Sequence, residues 1–298
     1  MAARSVIELP ANLAEAVTDD EVMLRWVATL PERIAESEAR WSLAIEAPFQ
    51  PGGVTAWVAR ARNRAGEPVV LKLGWRHEES MHEADALRAW DGNGAVRLLD
   101  SATTDDTAAM LLEECRPGTP LSHVRAPAAQ DEVIAGLLQR LWIEPAAKYP
   151  FRELHSMCAL WADEFVEKRA TTGDIGLPDD IVEAGIHALR TLPTTDSRQV
   201  LLCTDLHAEN ILAAEREPWL AVDPKPYIGD PAYDPVQYML DATERLSADP
   251  LAFVARMAKL LDLDPVRLRH WVFARCVQEC IDTPELAGVA RALVRQLG

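Results

Sequence analysis

LLCTDLHAENILAAEREPWLAVDPKPYIGDPAYD, residues 201–234, decides how this chain is read. It sets Asp205, Asn210 and Asp223 around two short apolar runs. A phosphoryl-transfer site needs this set: one carboxylate to orient and deprotonate an attacking hydroxyl, and an amide and a second carboxylate to hold the magnesium ions that neutralise the moving phosphate. Two blander readings compete. A loop rich in Asp, His and Asn is a common turn composition. Asp205, His207 and Glu209 could also share a metal, but zinc needs a further Cys or His ligand at suitable spacing, and none is evident.

Working outward, the segment needs a nucleotide site. Lys72 sits inside the apolar run VVLKL and Glu83 opens the helical pattern EADALRAW. A mid-strand lysine must snorkel, face solvent or meet a buried partner. A kinase-type lysine contacts the α/β-phosphates and is held by a glutamate on the next helix. The competing reading is a surface lysine on an edge strand. Gly52 and Gly53 precede the neighbouring strand, where small residues let backbone N–H groups approach phosphate, and Thr55 follows with a hydroxyl. Glu113 and Cys115, in MLLEEC, are the candidates for backbone contact with the adenine edge. The glycine pair is neither a Walker A nor a complete GxGxxG motif.

The pattern of elements supports a cleft of this kind. Residues 9–39 read as one or two amphipathic helices, 41–49, 54–62 and 68–75 as strands, 77–91 as a helix, and VRLLDS and AAMLLEEC as two more strands. Beyond Cys115 helical periodicity takes over, at 129–144, 151–170, 179–192, 234–245, 249–261, 264–281 and 284–297. Strand-like interruptions occur only at 199–203, 210–213 and 219–222. The expectation is an α+β, two-lobed, protein-kinase-like fold. A nucleotide-binding N-lobe over 1–115, a small antiparallel sheet with a helical N-terminal extension, precedes a mostly helical catalytic and substrate lobe over 116–298.

Length and charge set further bounds. The 298 residues suffice for a full core or two moderate ones. A net charge of −17 repels nucleic acid and favours a cationic small molecule, although an acidic surface also serves solubility. No apolar run approaches a membrane span, and MAARSVIELPANLAEAV lacks a signal-peptide core, so a cytoplasmic location with no membrane partner is expected. The five cysteines are odd in number and scattered, against a disulfide framework. Cys276 and Cys280 share a helix face and read as a core pair.

Lys72 in VVLKL, Glu83 in EADALRAW, LLEECRPGTPL, DLHAEN and DPKPYIGDPAYD together resemble the aminoglycoside phosphotransferase family, nearest its branch of streptomycin 6-kinases and hydroxyurea kinases. The similarity runs from about Trp41 to Arg275. It implies a fold like that of protein kinases and transfer of the ATP γ-phosphate to a small-molecule hydroxyl. By matching position it implies Asp205 as catalytic base, Asn210 and Asp223 as Mg²⁺ ligands, and Lys72 with Glu83 as the phosphate-anchoring pair. One departure stands out: Cys203-Thr204 replaces the family's usual His-Gly, and a β-branched threonine is a poor substitute where glycine permits a special backbone angle.

Candidates to line the acceptor are His207, Asp230, Asp234, Trp271, Arg275 and Glu279. The last three are spaced to share one helix face, where core packing with an Arg–Glu pair is the competing account. The expected function is ATP- and Mg²⁺-dependent O-phosphorylation of an aminoglycoside such as streptomycin, inactivating the antibiotic. The alternatives are a metabolic kinase of a sugar, amino sugar or amino alcohol, and a nucleotide-binding pseudokinase with a regulatory role.

Overall fold

The computed structural model describes residues 7–18, 20–144, 146, 150–195 and 198–295. Within them the chain divides into two compact units, Met1–Gly118 and Thr119–Gly298.

The first unit opens with three short helices, α1 (Ala11–Ala16), α2 (Glu21–Val27) and α3 (Leu30–Trp41), rather than one or two. Asp20 caps α2 by accepting from the backbone N–H groups of Val22 and Met23, and a proline enters the first turn of α3. Each signal starts a new helix rather than extending the last. Ser42 at φ +53° stops α3, so the expected strand at 41–49 shortens to β1 (Ala44–Pro48). There follow β2 (Ala56–Arg62), β3 (Pro68–Trp75), α4 (Glu83–Trp90), β4 (Leu98–Thr103) and β5 (Thr107–Glu113). The helix expected over 77–91 is reduced to a 3-10 turn, Glu78–Ser80, and α4, because His82 between them takes φ +70°, which a right-handed helix excludes.

The five strands form an antiparallel sheet in the order β1-β2-β3-β5-β4. Period-two alternation sorts β3. Val69, Leu71 and Leu73 join Trp26, Val27 and Leu30 of the N-terminal helices in one apolar cluster. Lys72 therefore points to the other face. It is paired across to Val58 and Met110 on both sides, so the edge-strand reading does not hold.

The second unit carries α5 (Pro127–Leu141), β6 (Arg152–Glu153), α6 (Leu154–Thr171), α7 (Asp179–Thr191), β7 (Val200–Leu202), β8 (Ile211–Ala213), β9 (Trp219–Ala221) and β10 (Tyr227–Gly229). It ends in α8 (Val236–Asp241), α9 (Thr243–Ala248), α10 (Pro250–Leu261), α11 (Pro265–Glu279) and α12 (Leu286–Val294). The helix expected over 234–245 breaks at Ala242, whose ψ of 44° is not helical. Residues 296 and 297 of the expected last helix, residue 19 within the first, and residues 1–6 of the expected leader-free N-terminus lie outside the described residues. Two strands went unforeseen, β6 and β10. Tyr-Ile-Gly between prolines has no local strand signature, and it becomes a strand only by pairing with β7 and β6. Among the described residues no helix is long and apolar enough to cross a membrane. Cys276 and Cys280 are buried free thiols, and burial lifts the Cys276 thiol well above its usual value and pushes that of Cys280 up to about 11.

A buried charge cluster clamps α5 to α8, α9 and α10. Asp131 is wholly buried; it accepts two bonds from Arg245, one from Arg256 and one from the Tyr238 hydroxyl, at 2.6–2.8 Å. Burial alone lifts its carboxyl, but the two guanidiniums and the hydroxyl outweigh it, and the group titrates below its ordinary value. Asp131→Ala leaves two arginines without their shared counter-charge and costs about 3–5 kcal/mol of unfolding free energy in a urea titration. Because the folded-state value is depressed, the cluster's contribution is present at neutral pH and is lost as pH falls below about 4.

Candidate active site

In the first unit, Lys72 and Glu83 are buried together. Lys72 Nζ donates to Glu83 Oε1 at 2.7 Å and to Oε2 at 2.8 Å. The helical pattern places Glu83 in the first turn of α4, near the positive end of its dipole. A buried ion pair is weak evidence for stability, since desolvation offsets the attraction, so its presence needs another reason.

The other residues assigned to the nucleotide fare unequally. Gly52 has φ +73°, and a Cβ there would lie 2.4 Å from Cβ of Pro10. Its carbonyl accepts from Asn12 Nδ2 at 2.8 Å. Close packing on the N-terminal helix thus explains Gly52 without any phosphate. Around Gly53 the space is open. The Thr55 carbonyl holds the end of β3 through Trp75 N, at 2.8 Å. At Glu113 the N–H donates to Arg97 O and the side chain accepts from Arg97 N. Cys115 is half-buried beyond the end of β5.

In the second unit, β7 delivers the chain into the loop that carries Asp205. Thr204 takes φ +51°, the left-handed angle for which glycine is the usual occupant. A β-branched residue there costs about 1–2 kcal/mol. Three bonds hold it. The Asp234 carboxylate accepts from the backbone N–H of Thr204 at 2.7 Å and of Cys203 at 3.1 Å, and the Thr204 hydroxyl donates to Lys225 O at 2.5 Å. The bend expected of glycine is kept by threonine with a buried carboxylate behind it. Thr204→Val, which keeps the shape and deletes the hydroxyl, is expected to cost about 1–2 kcal/mol. Thr204→Gly loses the same bond but relieves the backbone, and is expected to cost less. Chemical denaturation of the two variants checks the order.

Asp205 is half-buried; its backbone carbonyl accepts from Asn210 Nδ2 at 3.1 Å, which presents Asn210 Oδ1 on the other side of the amide. Beyond Asn210, β8 and β9 form a two-stranded ribbon with Ile211 opposite Ala221, and Val222 N donates to Asn210 O at 2.9 Å. The ribbon therefore brings Asn210 beside the residue preceding Asp223, which itself takes φ +54°. Lys225, two residues on, reaches back so that Nζ lies 3.2 Å from Asp205 Oδ2. Sequence reasoning passed over Lys225, although its place in Asp223-Pro224-Lys225 was in view.

Four of the acceptor candidates are corrected. Asp230 and Asp234 are wholly buried, as is Trp271, and Arg275 is 2% exposed. Asp230 accepts from Arg267 Nε at 2.6 Å and from Trp271 Nε1, and its Oδ1 accepts from Ala232 N. Asp234 also accepts from Trp142 Nε1 at 2.9 Å, and burial, only partly offset by its donors, pushes its carboxyl up to about 6. Arg275 donates to the Tyr233 hydroxyl and to Glu279, and stacks over Trp161. These side chains are scaffold behind the loop, with Glu279 half-buried beside Arg275 as its counter-charge. Of the six candidates, Glu279 and His207 keep partial exposure, and His207 alone lies on the loop that carries Asp205. It lies 4.0 Å from Asp241, whose carboxyl burial raises above its ordinary value, with His207 offsetting part of the rise. Asp241, with Glu244, Thr243, Tyr238, Gln130 and Arg245, lines an open pocket of about 520 Å³ within this unit. Asp241 was missed because nothing in the spacing of α8 marks it.

Among the described residues no group of three or more His, Cys, Asp or Glu could hold a metal by itself. The pair Asn210 and Asp223 offers an amide oxygen and a carboxylate, a hard-oxygen set suited to magnesium shared with phosphate rather than to zinc.

A family model described as aminoglycoside/hydroxyurea antibiotic resistance kinase matches residues 40–284. A hydroxyurea phosphotransferase of Kitasatospora aureofaciens is 34% identical over 290 residues, 93% of this chain and 80% of that protein. A streptomycin 6-kinase of Streptomyces griseus is 33% identical over 291 residues, 94% of this chain and 92% of that protein. In fold the chain is similar to a thermostable mutant of the aminoglycoside phosphotransferase APH(4)-Ia, solved with ADP and hygromycin B, at a TM-score of 0.57 and 14% identity over 88% of this chain and 97% of that one.

Proposed function

Because the chain belongs to the aminoglycoside/hydroxyurea antibiotic resistance kinase family, and is thereby a small-molecule phosphotransferase with a hydroxyl acceptor, we propose that it transfers the γ-phosphoryl group of ATP, with Mg²⁺, to a cationic antibiotic such as streptomycin. The observation that carries this reading is the joined set in the second unit: Asp205 fastened to Asn210, and Asn210 fastened through the ribbon to the residue before Asp223.

Each residue has a defined task. Asp205 accepts the hydrogen bond of the acceptor hydroxyl, orients it and takes its proton as the new bond forms. Asn210 Oδ1 and the Asp223 carboxylate would hold magnesium, which would neutralise charge on the phosphate oxygens. Lys72, kept extended by Glu83, binds phosphate oxygens of the nucleotide. ATP as the donor supports a cytoplasmic site of action.

The electrostatics support a cationic acceptor. Asp241 and Glu244 line the pocket next to His207, two residues from Asp205, and the whole chain carries −17. They replace Asp230 and Asp234 as the carboxylates available to a ligand. Arg245, the cation in this lining, is committed to Asp131, so the acidic side chains favour a cationic ligand. A panel of streptomycin, hydroxyurea, amino sugars, choline and neutral sugars, with Mg²⁺ and ATP, tests the reading. KM for a cationic acceptor is expected to rise with salt, since exposed charges are screened over ~10 Å at 0.1 M, whereas KM for a neutral one stays nearly flat. A neutral or anionic best acceptor overturns the charge argument, an amino alcohol or sugar as best acceptor favours a metabolic kinase, and nucleotide binding without transfer marks a pseudokinase.

A further inference from the structure

Three separate contacts hold Lys225 against the loop that carries Asp205. Its backbone N–H donates to Cys203 O at 3.0 Å, its carbonyl accepts from Thr204 Oγ1 at 2.5 Å, and its ammonium lies 3.2 Å from Asp205 Oδ2. The ion pair is partly exposed, at 38% and 23% of the two side chains, and a pair so open to water adds little to stability. The aim of the ammonium therefore calls for a reason other than folding.

Distance supplies one. A carboxylate that takes a hydroxyl proton must come within ~2.6–3.2 Å of that oxygen. With Nζ 3.2 Å from Oδ2, the ammonium stands within about 6 Å of an attacking oxygen that bonds the same Oδ2, and the phosphoryl group bonds to that oxygen. A lysine head carries three donors on a flexible stem, so it keeps Asp205 as one partner while another N–H turns to phosphate.

We propose that Lys225 is a second phosphate-binding cation of this enzyme, donating to the transferring phosphoryl group from the side of Asp205. The inference rests on the kinase reading above. In the step it serves, a lone pair of the acceptor oxygen forms a bond to the γ-phosphorus. The bond from that phosphorus to the bridging oxygen breaks, and its electron pair leaves with ADP. The hydroxyl proton passes to Asp205, and Lys225 keeps its protons, donating hydrogen bonds to the non-bridging oxygens. Charge that grows there meets a donor already in place.

Lys225→Met and Lys225→Arg test it. With the acceptor that the wild type phosphorylates, Lys225→Met is expected to lower kcat by about 10²-fold or more, with KM for ATP and acceptor changed less than about threefold. Lys225→Arg is expected to recover at least about a tenth of the wild-type rate, as a cation of similar reach. The second readout needs no turnover. Wild-type protein is expected to bind MgADP with aluminium fluoride, a mimic of the phosphoryl group in flight, more tightly than MgADP alone. Lys225→Met is expected to lose that extra affinity about tenfold or more and to keep its affinity for MgADP. A Lys225→Met enzyme with wild-type kcat, or with the full fluoride-dependent gain, overturns the inference while the kinase reading stands. So does a loss of rate that Lys225→Arg does not relieve and that tracks a lowered melting temperature and weakened MgADP binding. A wild type that phosphorylates no acceptor overturns both.

Discussion

Asp205→Asn is expected to lower kcat by about 10²–10⁴-fold while leaving affinity for MgATP within about threefold. The substitution is nearly isosteric. Asn210 holds the carbonyl of residue 205 rather than its side chain, so the amide orientation proposed for the metal survives the change. Thr204 and its bonds to Asp234 and Lys225 are also untouched. What is lost is the acceptor of the hydroxyl proton and the charge facing Lys225. Steady-state kinetics with nucleotide titration separates the two effects. If the variant retains more than about a tenth of wild-type turnover, Asp205 is not the base.

Asp223→Ala is expected to abolish the enhancement of ATP binding by Mg²⁺ and to reduce kcat by about 10³-fold, because the carboxylate is one of two protein oxygens proposed for the metal. The residue's left-handed backbone angle complicates a bare alanine substitution. Alanine at positive φ costs about 1–2 kcal/mol, whereas asparagine tolerates it and removes only the charge. Asp223→Asn is therefore the cleaner probe, and both variants are expected to show the same loss of Mg²⁺ dependence. Lys72→Ala gives a contrast: it strands Glu83, weakens ATP binding with or without metal, and leaves the ratio between the two conditions close to wild type. Calorimetry with and without Mg²⁺ reads all three. Wild-type Mg²⁺ enhancement in Asp223→Asn would sink the metal assignment.

The fold was legible where the pattern was local. β3 emerges as residues 68–75, as expected, because apolar alternation and a following helix fix its neighbours. Helix ends were less legible, since His82 and Ala242 break helices by backbone angle rather than by a Gly or Pro. β10 needed its long-range partners to exist. In the site, the departure at Cys203-Thr204 was visible in the sequence, but its resolution was not: Asp234, thirty residues on from Thr204, supplies the support that a β-branched residue at positive φ requires. The same fact explains why Asp230 and Asp234 were misjudged. An acidic residue near a catalytic segment looks available to a ligand, and only the packing of Trp142, Arg267 and Trp271 around the two carboxylates shows them spent. Asp241 and Lys225 are the converse, charged groups of ordinary appearance that folding brings beside His207 and Asp205.

The most direct test of the whole account follows the phosphorus. Protein is incubated with Mg²⁺, γ-labelled ATP and streptomycin or another hydroxylated cation, beside Asp205→Asn as control, and the product is identified by phosphorus NMR. The account predicts label on an acceptor hydroxyl with wild-type protein and almost none with the variant. Label released only as inorganic phosphate, label on no acceptor, or equal transfer by the variant would contradict it.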